Sequence, residues 1–510
     1  MEGYKLALIA IIILAIIYRI PALQNQGFLN TEGYIYYSIA KQTIVNNYTI
    51  PNPPLLQGFP NHNPYTEKEL LIYMPIILWL GTFKLIPLIE IMRIIIPLIF
   101  IVIGIITIYS LSLKLIGDKK ISLLASFIYG IMPASIFHTS FLEYIGDGFV
   151  ASTIAITLLM LIAIFEDYQN KKIRFKNIIG FAGAFFTTLY LWNGGIIIVG
   201  VIGLIIGLHL IYKKNDLGTL PIFGLISIIP FMILLYEFPN IFLIPSLPLL
   251  NGDLYLMAYY LGVSVFFAII ALINMKHYRY QNFTHIVLFS FLIITFTLYL
   301  KNYRWVTLLA MPIAIYGAYG INIFIDHQKH HYQKHQWIVK GCIAIIILVI
   351  LFLSALISIQ VNIPPNNVTK YTFNTLNWIS NNTQGNATFM AYWEDGTYIE
   401  AISNRNSYID VFSSDAKLNN FTEFLAGRND IIKQTHPTYL WLRQSLINVS
   451  IIAPNFQYWT GIRKFTLQEI NPKIYGILKN QSKSFHFYNE SFMAIYCNKD
   501  GILYIINYNN

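Results

Sequence analysis

Apolar stretches long enough to cross a bilayer, about 20 residues each, recur eleven times in the first 360 residues of this 510-residue chain. They cover roughly 4–22, 91–113, 121–140, 148–165, 176–191, 194–212, 219–236, 255–274, 284–300, 304–325 and 337–360. Only 11% of all residues are charged, against about 25% in soluble domains. That excludes a soluble enzyme, a disordered protein and a disulfide scaffold. Cys342 and Cys497 lie far apart and supply no CxxC metal site. No small-residue cleavage site follows the first stretch, which therefore reads as a span and not a signal peptide. Residues 70–86 are apolar too, but Lys84 and Pro87 mark a helix lying in the interface.

The placement of charge orients these spans. Loops Lys114–Lys120, Lys171–Lys176, Lys213–Lys214, Lys276–Arg279 and Lys329–Lys340 hold fourteen Lys and Arg, against one acid within them, Asp118, and two beside them, Asp216 and Asp326. Eleven spans put all five loops on one side, and basic loops stay in the cytoplasm. The net charge of +10 is thus a matter of topology, and no nucleic-acid partner is expected. The His-rich stretch His327–His335 reads as part of a solvated cytoplasmic loop. The extracytoplasmic side receives a long first loop (about 23–90), short loops holding Glu143, Asp147, Glu237, Asp253 and Arg304, and everything from 361 onward. The expected location is the cell membrane, with many passes.

Beyond 360 the chain becomes rich in Asn, Thr, Ser and aromatic residues. Residues 387–392, 448–453, 492–497 and 502–507 read as strands, and 415–425 and 439–446 as helices. The expected organisation is a membrane domain, 1–360, and an extracytoplasmic mixed α/β domain, 361–510, large enough for its own core. Seven Asn-X-Ser/Thr sites, at Asn367, Asn381, Asn386, Asn420, Asn448, Asn480 and Asn489, suit an extracytoplasmic segment.

Unusual polar residues gather on the outer face. Glu32-Gly33-Tyr34 stands just outside the first span, and Glu143-Tyr144-Ile145-Gly146-Asp147 starts another. Glu237 and Arg304 sit at the outer ends of two more. Carboxylates suit a hard cation such as Mn2+ or Mg2+, and Arg suits phosphate. Such a set points to a lipid-phosphate substrate at the membrane surface. In the C-terminal segment, Tyr392-Trp393-Glu394-Asp395-Gly396 is followed by Asn404-Arg405 and Asp410. Taken alone, it also reads as a Glu-Asp-Gly turn.

This last run resembles the signature of the catalytic subunit of oligosaccharyltransferase, the STT3/AglB/PglB family: Trp-Trp-Asp-Tyr-Gly, then Asn-Arg and an Asp. Here the motif is Tyr-Trp-Glu-Asp-Gly. Glu32-Gly33-Tyr34 is similar to the family's first-loop acid, Asp147 to its second acidic motif, and Trp192-Asn193-Gly194-Gly195 to a Trp-Gly-Gly at a span boundary. Glu237 before Pro239 and Arg304 are similar to its fifth-loop Glu and its phosphate-binding Arg. The resemblance runs from Arg19 to about Asp410, and identifies the chain as a short, divergent member.

The resemblance implies a GT-C fold with about eleven transmembrane helices. It implies transfer of a glycan from a polyprenyl (di)phosphate carrier to the Asn of Asn-X-Ser/Thr, with inversion. Glu32, Asp147 and Glu237 would hold Mn2+ or Mg2+, Arg304 would bind the leaving phosphate, and Tyr392, Trp393, Glu394, Asp395 and Gly396 would hold the acceptor. The partners are then a lipid-linked oligosaccharide, an acceptor polypeptide and membrane lipids. A GT-C enzyme that uses a polyprenyl-phosphate sugar with another acceptor is the alternative. A transporter is disfavoured, because the span interiors are nearly free of charge.

Overall fold

A computed structural model describes residues 2–25, 27–52, 69–172, 174–191, 193–212, 259–274, 283–301, 305–331, 368–410, 436–443, 484–487, 490–499 and 501–508, with isolated positions between. The chain divides into two compact units. One comprises Met1–Gln24, Lys68–Leu71 and Ile94–Pro364; the other comprises Asn25–Glu67, Ile72–Arg93 and Pro365–Asn510.

In chain order the described helices are α1 (Glu2–Ile17), α2 (Thr31–Val45), α3 (Leu70–Gly81), α4 (Leu88–Glu90), α5 (Ile96–Ile116), α6 (Lys119–Ile131), α7 (Pro133–Phe137) and α8 (Gly146–Gln169). They continue with α9 (Phe175–Leu191), α10 (Ile197–Tyr212), α11 (Ser264–Asn274), α12 (Phe283–Lys301), α13 (Val306–His331), α14 (Lys370–Asn382) and α15 (Trp393–Tyr398). Among the described residues, five helical stretches are long and apolar enough to cross a membrane: Gly3–Gln24, Leu88–Ile116, Gly146–Gln169, Phe283–Leu300 and Val306–Ile325. Four shorter helices are apolar as well. The chain is a multi-pass membrane protein.

The expected span 121–140 is broken. Pro133 cannot continue α6, and Met132 before it is extended (φ −65°, ψ 129°), as residues ahead of proline tend to be. The expected span 219–236 lies outside the described residues, as do most positions of 337–360.

In the first unit α13 is the inner helix, with Val306, Leu309, Ala310, Ala314, Tyr316 and Ala318 fully buried. It crosses α11 at close range: a Cβ on Gly320 would lie 1.8 Å from the Phe267 carbonyl oxygen. Small residues allow such crossings between apolar helices. Arg19, also fully buried, ties helix ends together. Its guanidinium donates to the carbonyls of Ala15 (2.9 Å) and Gly130 (2.8 Å) and to Thr139 Oγ1 (2.9 Å). The Gly130 carbonyl belongs to the last turn of α6, where helical acceptors have no partner of their own.

The second unit is built on a six-stranded sheet of order β2-β1-β3-β6-β5-β4. The strands are β1 (Thr388–Met390), β2 (Asn406–Ser407), β3 (Tyr439–Arg443), β4 (Ser484–Phe487), β5 (Glu490–Cys497) and β6 (Gly501–Tyr508). β1 pairs parallel with β2 and β3; β3–β6, β6–β5 and β5–β4 are antiparallel. Met390, Tyr408, Ile409, Leu440, Leu442, Phe492, Ile502 and Tyr504 form the core on one face.

The strands expected near 387–392, 492–497 and 502–507 are present as β1, β5 and β6. The helix expected at 439–446 is corrected: Tyr439–Arg443 is the strand β3. A central strand buried on both faces reads as an unbroken apolar run, which periodicity does not separate from a buried helix. The strand expected at 448–453 lies outside the described residues. So does most of the helix expected at 415–425, of which Phe421, Phe424 and Leu425 are described, helical and buried.

Candidate active site

The sheet order places a switch point at β1. The chain leaves β1 and reaches β2 on one side through α15, while β3 lies on the other side. Crevices outside the carboxyl ends of parallel strands, at the point where the order reverses, are the usual ligand sites of such sheets. The run Tyr392–Gly396 follows the carboxyl end of β1 directly, Asp410 follows β2, and Arg443 ends β3.

The acidic motif is a helix start and not the Glu-Asp-Gly turn. Tyr392 is extended (φ −62°, ψ 151°) and precedes α15. The Gly396 amide donates to the Tyr392 carbonyl at 2.8 Å, and Thr397 Oγ1 donates to the Trp393 carbonyl at 3.1 Å. Gly396 is sterically required: a Cβ there would lie 1.8 Å from the Ile409 carbonyl oxygen and 2.5 Å from Ser407 Oγ. The last element of the motif thus seats α15 on the chain leaving β2.

The two acids of the motif have different surroundings. Asp395 is buried and accepts from Arg443 Nη1 at 2.7 Å; Arg443 Nη2 also donates to Thr372 Oγ1 of α14 at 3.2 Å. Glu394 retains an open part. Burial first, and the charge of Asp395 second, push its carboxyl up to about 7, while Arg443 acts in the opposite sense. Burial likewise raises the Tyr392 hydroxyl, with Glu394 adding to it. Past α15 the chain makes a π-helical turn, Ile399–Ser403, whose buried Glu400 accepts from the Ser407 amide at 3.0 Å.

Asn404 and Arg405 are structural in this arrangement. Asn404 takes the left-handed conformation that ends the turn (φ 55°, ψ 48°), which Asn tolerates better than most residues. Arg405 donates to the carbonyls of Ser380 (2.7 Å) and Thr383 (2.8 Å), capping the end of α14.

Glu32 belongs to the same unit as the motif. It lies in the first turn of α2, whose N-cap Asn30 accepts the Gly33 amide at 2.7 Å. That end of a helix favours a carboxylate. α2 packs on α15 and the π turn through the Tyr34 and Tyr398 rings, 5.0 Å apart at centroid and edge-to-face. The Tyr398 hydroxyl bonds Thr31, the neighbour of Glu32, and burial holds its pKa well above the usual value.

Asp147 belongs to the first unit. It is 2% exposed, in the first turn of α8, with its Oδ2 4.0 Å from His138 Nε2. A Cβ on Gly148 would lie 1.8 Å from the His138 carbonyl oxygen, so only glycine lets these segments meet. The last turns of α8 carry Glu166 and Asp167, which pair with Lys114 and with Arg174 (3.1 Å). Asp147 and these basic residues are therefore at opposite ends of one helix, about a bilayer core apart. Glu143 is partly exposed ahead of α8. Glu237, Arg304 and Trp192 lie outside the described residues. Among the described residues, no three His, Cys, Asp or Glu side chains gather as a metal site.

Sequence reasoning missed Arg443 and His138. Arg443 is a lone cation after Tyr-Leu-Trp-Leu, far along the chain from Asp395. The only available signal was that a charge closing a buried strand needs a partner.

No protein-family model and no curated protein matches the sequence. Solved structures do match. The oligosaccharyltransferase AglB of Archaeoglobus fulgidus, in complex with an inhibitory peptide and a dolichol-phosphate, superposes with TM-score 0.70 at 14% identity, over 90% of this chain and 71% of that one. The same protein complexed with Zn and sulfate gives TM-score 0.69 at 14% identity, over 89% and 69%. ArnT of Cupriavidus metallidurans bound to undecaprenyl phosphate gives TM-score 0.55 at 10% identity, over 98% of both chains. The chain has the GT-C fold. In it, the first-loop acid Glu32 and the motif helix α15 belong to one folded unit, although about 360 residues of sequence lie between them.

Proposed function

We propose that this protein is an oligosaccharyltransferase, moving a glycan from a polyprenyl (di)phosphate carrier to the Asn of Asn-X-Ser/Thr in an acceptor polypeptide, with inversion at the anomeric carbon. One observation carries the reading. The Tyr392–Gly396 motif is a helix start at the carboxyl edge of a sheet switch point, packed on the helix that bears Glu32, in a chain with the fold of AglB. The peptide and dolichol-phosphate held by AglB are the corresponding partners. We further place the C-terminal segment on the extracytoplasmic side, opposite the Lys- and Arg-rich loops.

The chemistry follows from the residues. The acceptor amide nitrogen is a weak nucleophile, because its lone pair is delocalised into its carbonyl. Glu32 and Glu237 accept hydrogen bonds from that NH2 group and hold it for attack on the anomeric carbon. The bond from that carbon to the phosphate oxygen breaks, the amide proton passes to a carboxylate, and Arg304 binds the phosphate as charge develops on it. Glu394 accepts the hydroxyl of the Ser or Thr two residues on, and Trp393 and Tyr392 wall that pocket. A site built to bond a hydroxyl rejects residues lacking one.

Glu32, Asp147 and Glu237 are the residues that would hold a divalent cation, each offering the carboxylate oxygens that Mn2+ or Mg2+ takes; Zn in AglB favours a divalent site in this fold. When bound, such a cation offsets charge on the leaving phosphate and orients the ligating carboxylates.

The ArnT likeness, which spans both chains almost entirely, favours a second reading: transfer from a polyprenyl monophosphate sugar to a non-peptide acceptor. Purified protein, a radiolabelled lipid-linked sugar extract and an Asn-X-Thr peptide separate the two. Label in the peptide supports the first reading; label moved only between lipids supports the second.

A further inference from the structure

The motif of this chain carries an acid, Asp395, beside the acid that faces the acceptor. Its carboxylate does not face outward: Asp395 and Arg443 have side chains only 2% and 3% exposed, 2.7 Å apart. Arg443 reaches from the carboxyl end of β3 to α15, and its second nitrogen reaches α14 at Thr372 Oγ1, 3.2 Å away. Its guanidinium also lies 5.8 Å from the centroid of the buried Trp441 ring. One side chain thus joins β3, α15 and α14.

A buried ion pair of this kind adds little net stability, because removing two charges from water costs about what their attraction returns. What such a pair does supply is a fixed geometry. β3 and β1 are adjacent and parallel, so a bridge from the end of β3 to the first turn of α15 sets how α15 leaves β1. Glu394 is the neighbour of Asp395 in that turn, so its direction is set by the same bridge.

We propose that Arg443 is a positioning residue for acceptor recognition: through Asp395 it fixes the first turn of α15, so that Glu394 meets the Ser/Thr hydroxyl of the acceptor. The inference rests on the oligosaccharyltransferase reading. In support of it, Arg443 also opposes the effects that keep Glu394 protonated, so it serves the carboxylate form that accepts a hydrogen bond. Asp395 then belongs to the support of the acceptor pocket, and Glu394 to its wall.

The test compares wild type, Arg443→Met and the double variant Asp395→Asn/Arg443→Met in full-length protein. Thermal unfolding and steady-state glycosylation of an Asn-X-Thr peptide are measured on each. Arg443→Met leaves a buried charge unpaired and lowers Tm; the double variant removes both charges and regains most of it. In both, KM for the peptide rises about tenfold or more, the scale of a lost charged hydrogen bond, while kcat falls much less. A merely structural pair predicts that KM recovers together with Tm in the double variant, and that result overturns the inference. So does a wild-type KM in Arg443→Met, a loss confined to kcat, or a double variant that regains no stability. Wild-type protein that leaves the peptide unmodified overturns the functional reading itself, and the inference with it.

Discussion

Replacing Gly396 by Ala tests whether α15 is held where the site needs it. The added Cβ would stand 1.8 Å from the Ile409 carbonyl oxygen and 2.5 Å from Ser407 Oγ. A carbon–oxygen contact settles near 3.3 Å, so the two backbones must separate by about 1.5 Å. The Ile409 oxygen belongs to the backbone and cannot swing away as a side chain would. Overpacking against backbone costs up to about 3 kcal/mol, and the better helix propensity of Ala returns about 1 kcal/mol. The expected net loss is about 2 kcal/mol, or roughly 4–8 °C in Tm for a domain of this size. A displacement of about 1 Å at a reacting constellation costs about 100-fold in rate, so kcat/KM for an Asn-X-Thr peptide should fall by about that factor. Gly385→Ala is the control, because no atom lies within 4 Å of its added Cβ; its effect should stay within about 0.5 kcal/mol. Thermal unfolding and peptide glycosylation of the two variants, side by side, are the assays. A Gly396→Ala protein with wild-type Tm and activity would refute the seating of α15 on the chain leaving β2.

Glu394 should impose a pH dependence. Its carboxyl is held at about 7 against an ordinary 4.5, so between these values the folded state keeps a proton that the unfolded state has released. Its contribution to stability therefore falls as pH rises from about 4.5 to about 7, and Glu394→Gln should remove that fall in Tm-against-pH curves. Activity should show the opposite slope, rising through about pH 7 as the carboxylate forms, with the acid limb flattened in the Gln variant. Arg19→Met should lower the unfolding temperature without a matching change in peptide KM, since it takes the Arg19 donor from the buried Gly130 carbonyl, at a cost of about 1–3 kcal/mol. Glu32→Gln and Asp147→Asn should each reduce glycosylation by at least about 100-fold, and raised Mn2+ should partly relieve the loss in Asp147→Asn, as expected of a weakened metal ligand.

Much of the membrane part was legible in the sequence, because twenty-residue apolar runs have few alternative folds. Gly146–Gln169 and Val306–His331 lie where the apolar pattern puts helices. The pattern failed at Met132–Pro133, where a break in the middle of an apolar run carries no change of hydropathy. In the sheet, β5 and β6 show in their alternation and β1 in its bounding residues, but Tyr439–Arg443 looks the same as a buried helix until its neighbours β1 and β6 are known. The motif around Glu394 was visible as an unusual sequence. Its division of labour was not: only the fold brings Arg443 beside Asp395 and leaves Glu394 with an open side. The contact of α2 with α15 is equally invisible, since no local rule relates Tyr34 to Tyr398.

The central claim is that a glycan reaches an acceptor asparagine chosen by the hydroxyl two residues on. Mass spectrometry of two peptides, alike except for Asn-X-Thr against Asn-X-Ala and incubated with the purified protein, lipid-linked oligosaccharide and Mn2+, tests it most directly. A glycan mass is expected on the Asn of the first peptide, absent from the second and absent after chelation. Equal modification of both peptides, or of neither while sugar still leaves the lipid, would contradict it.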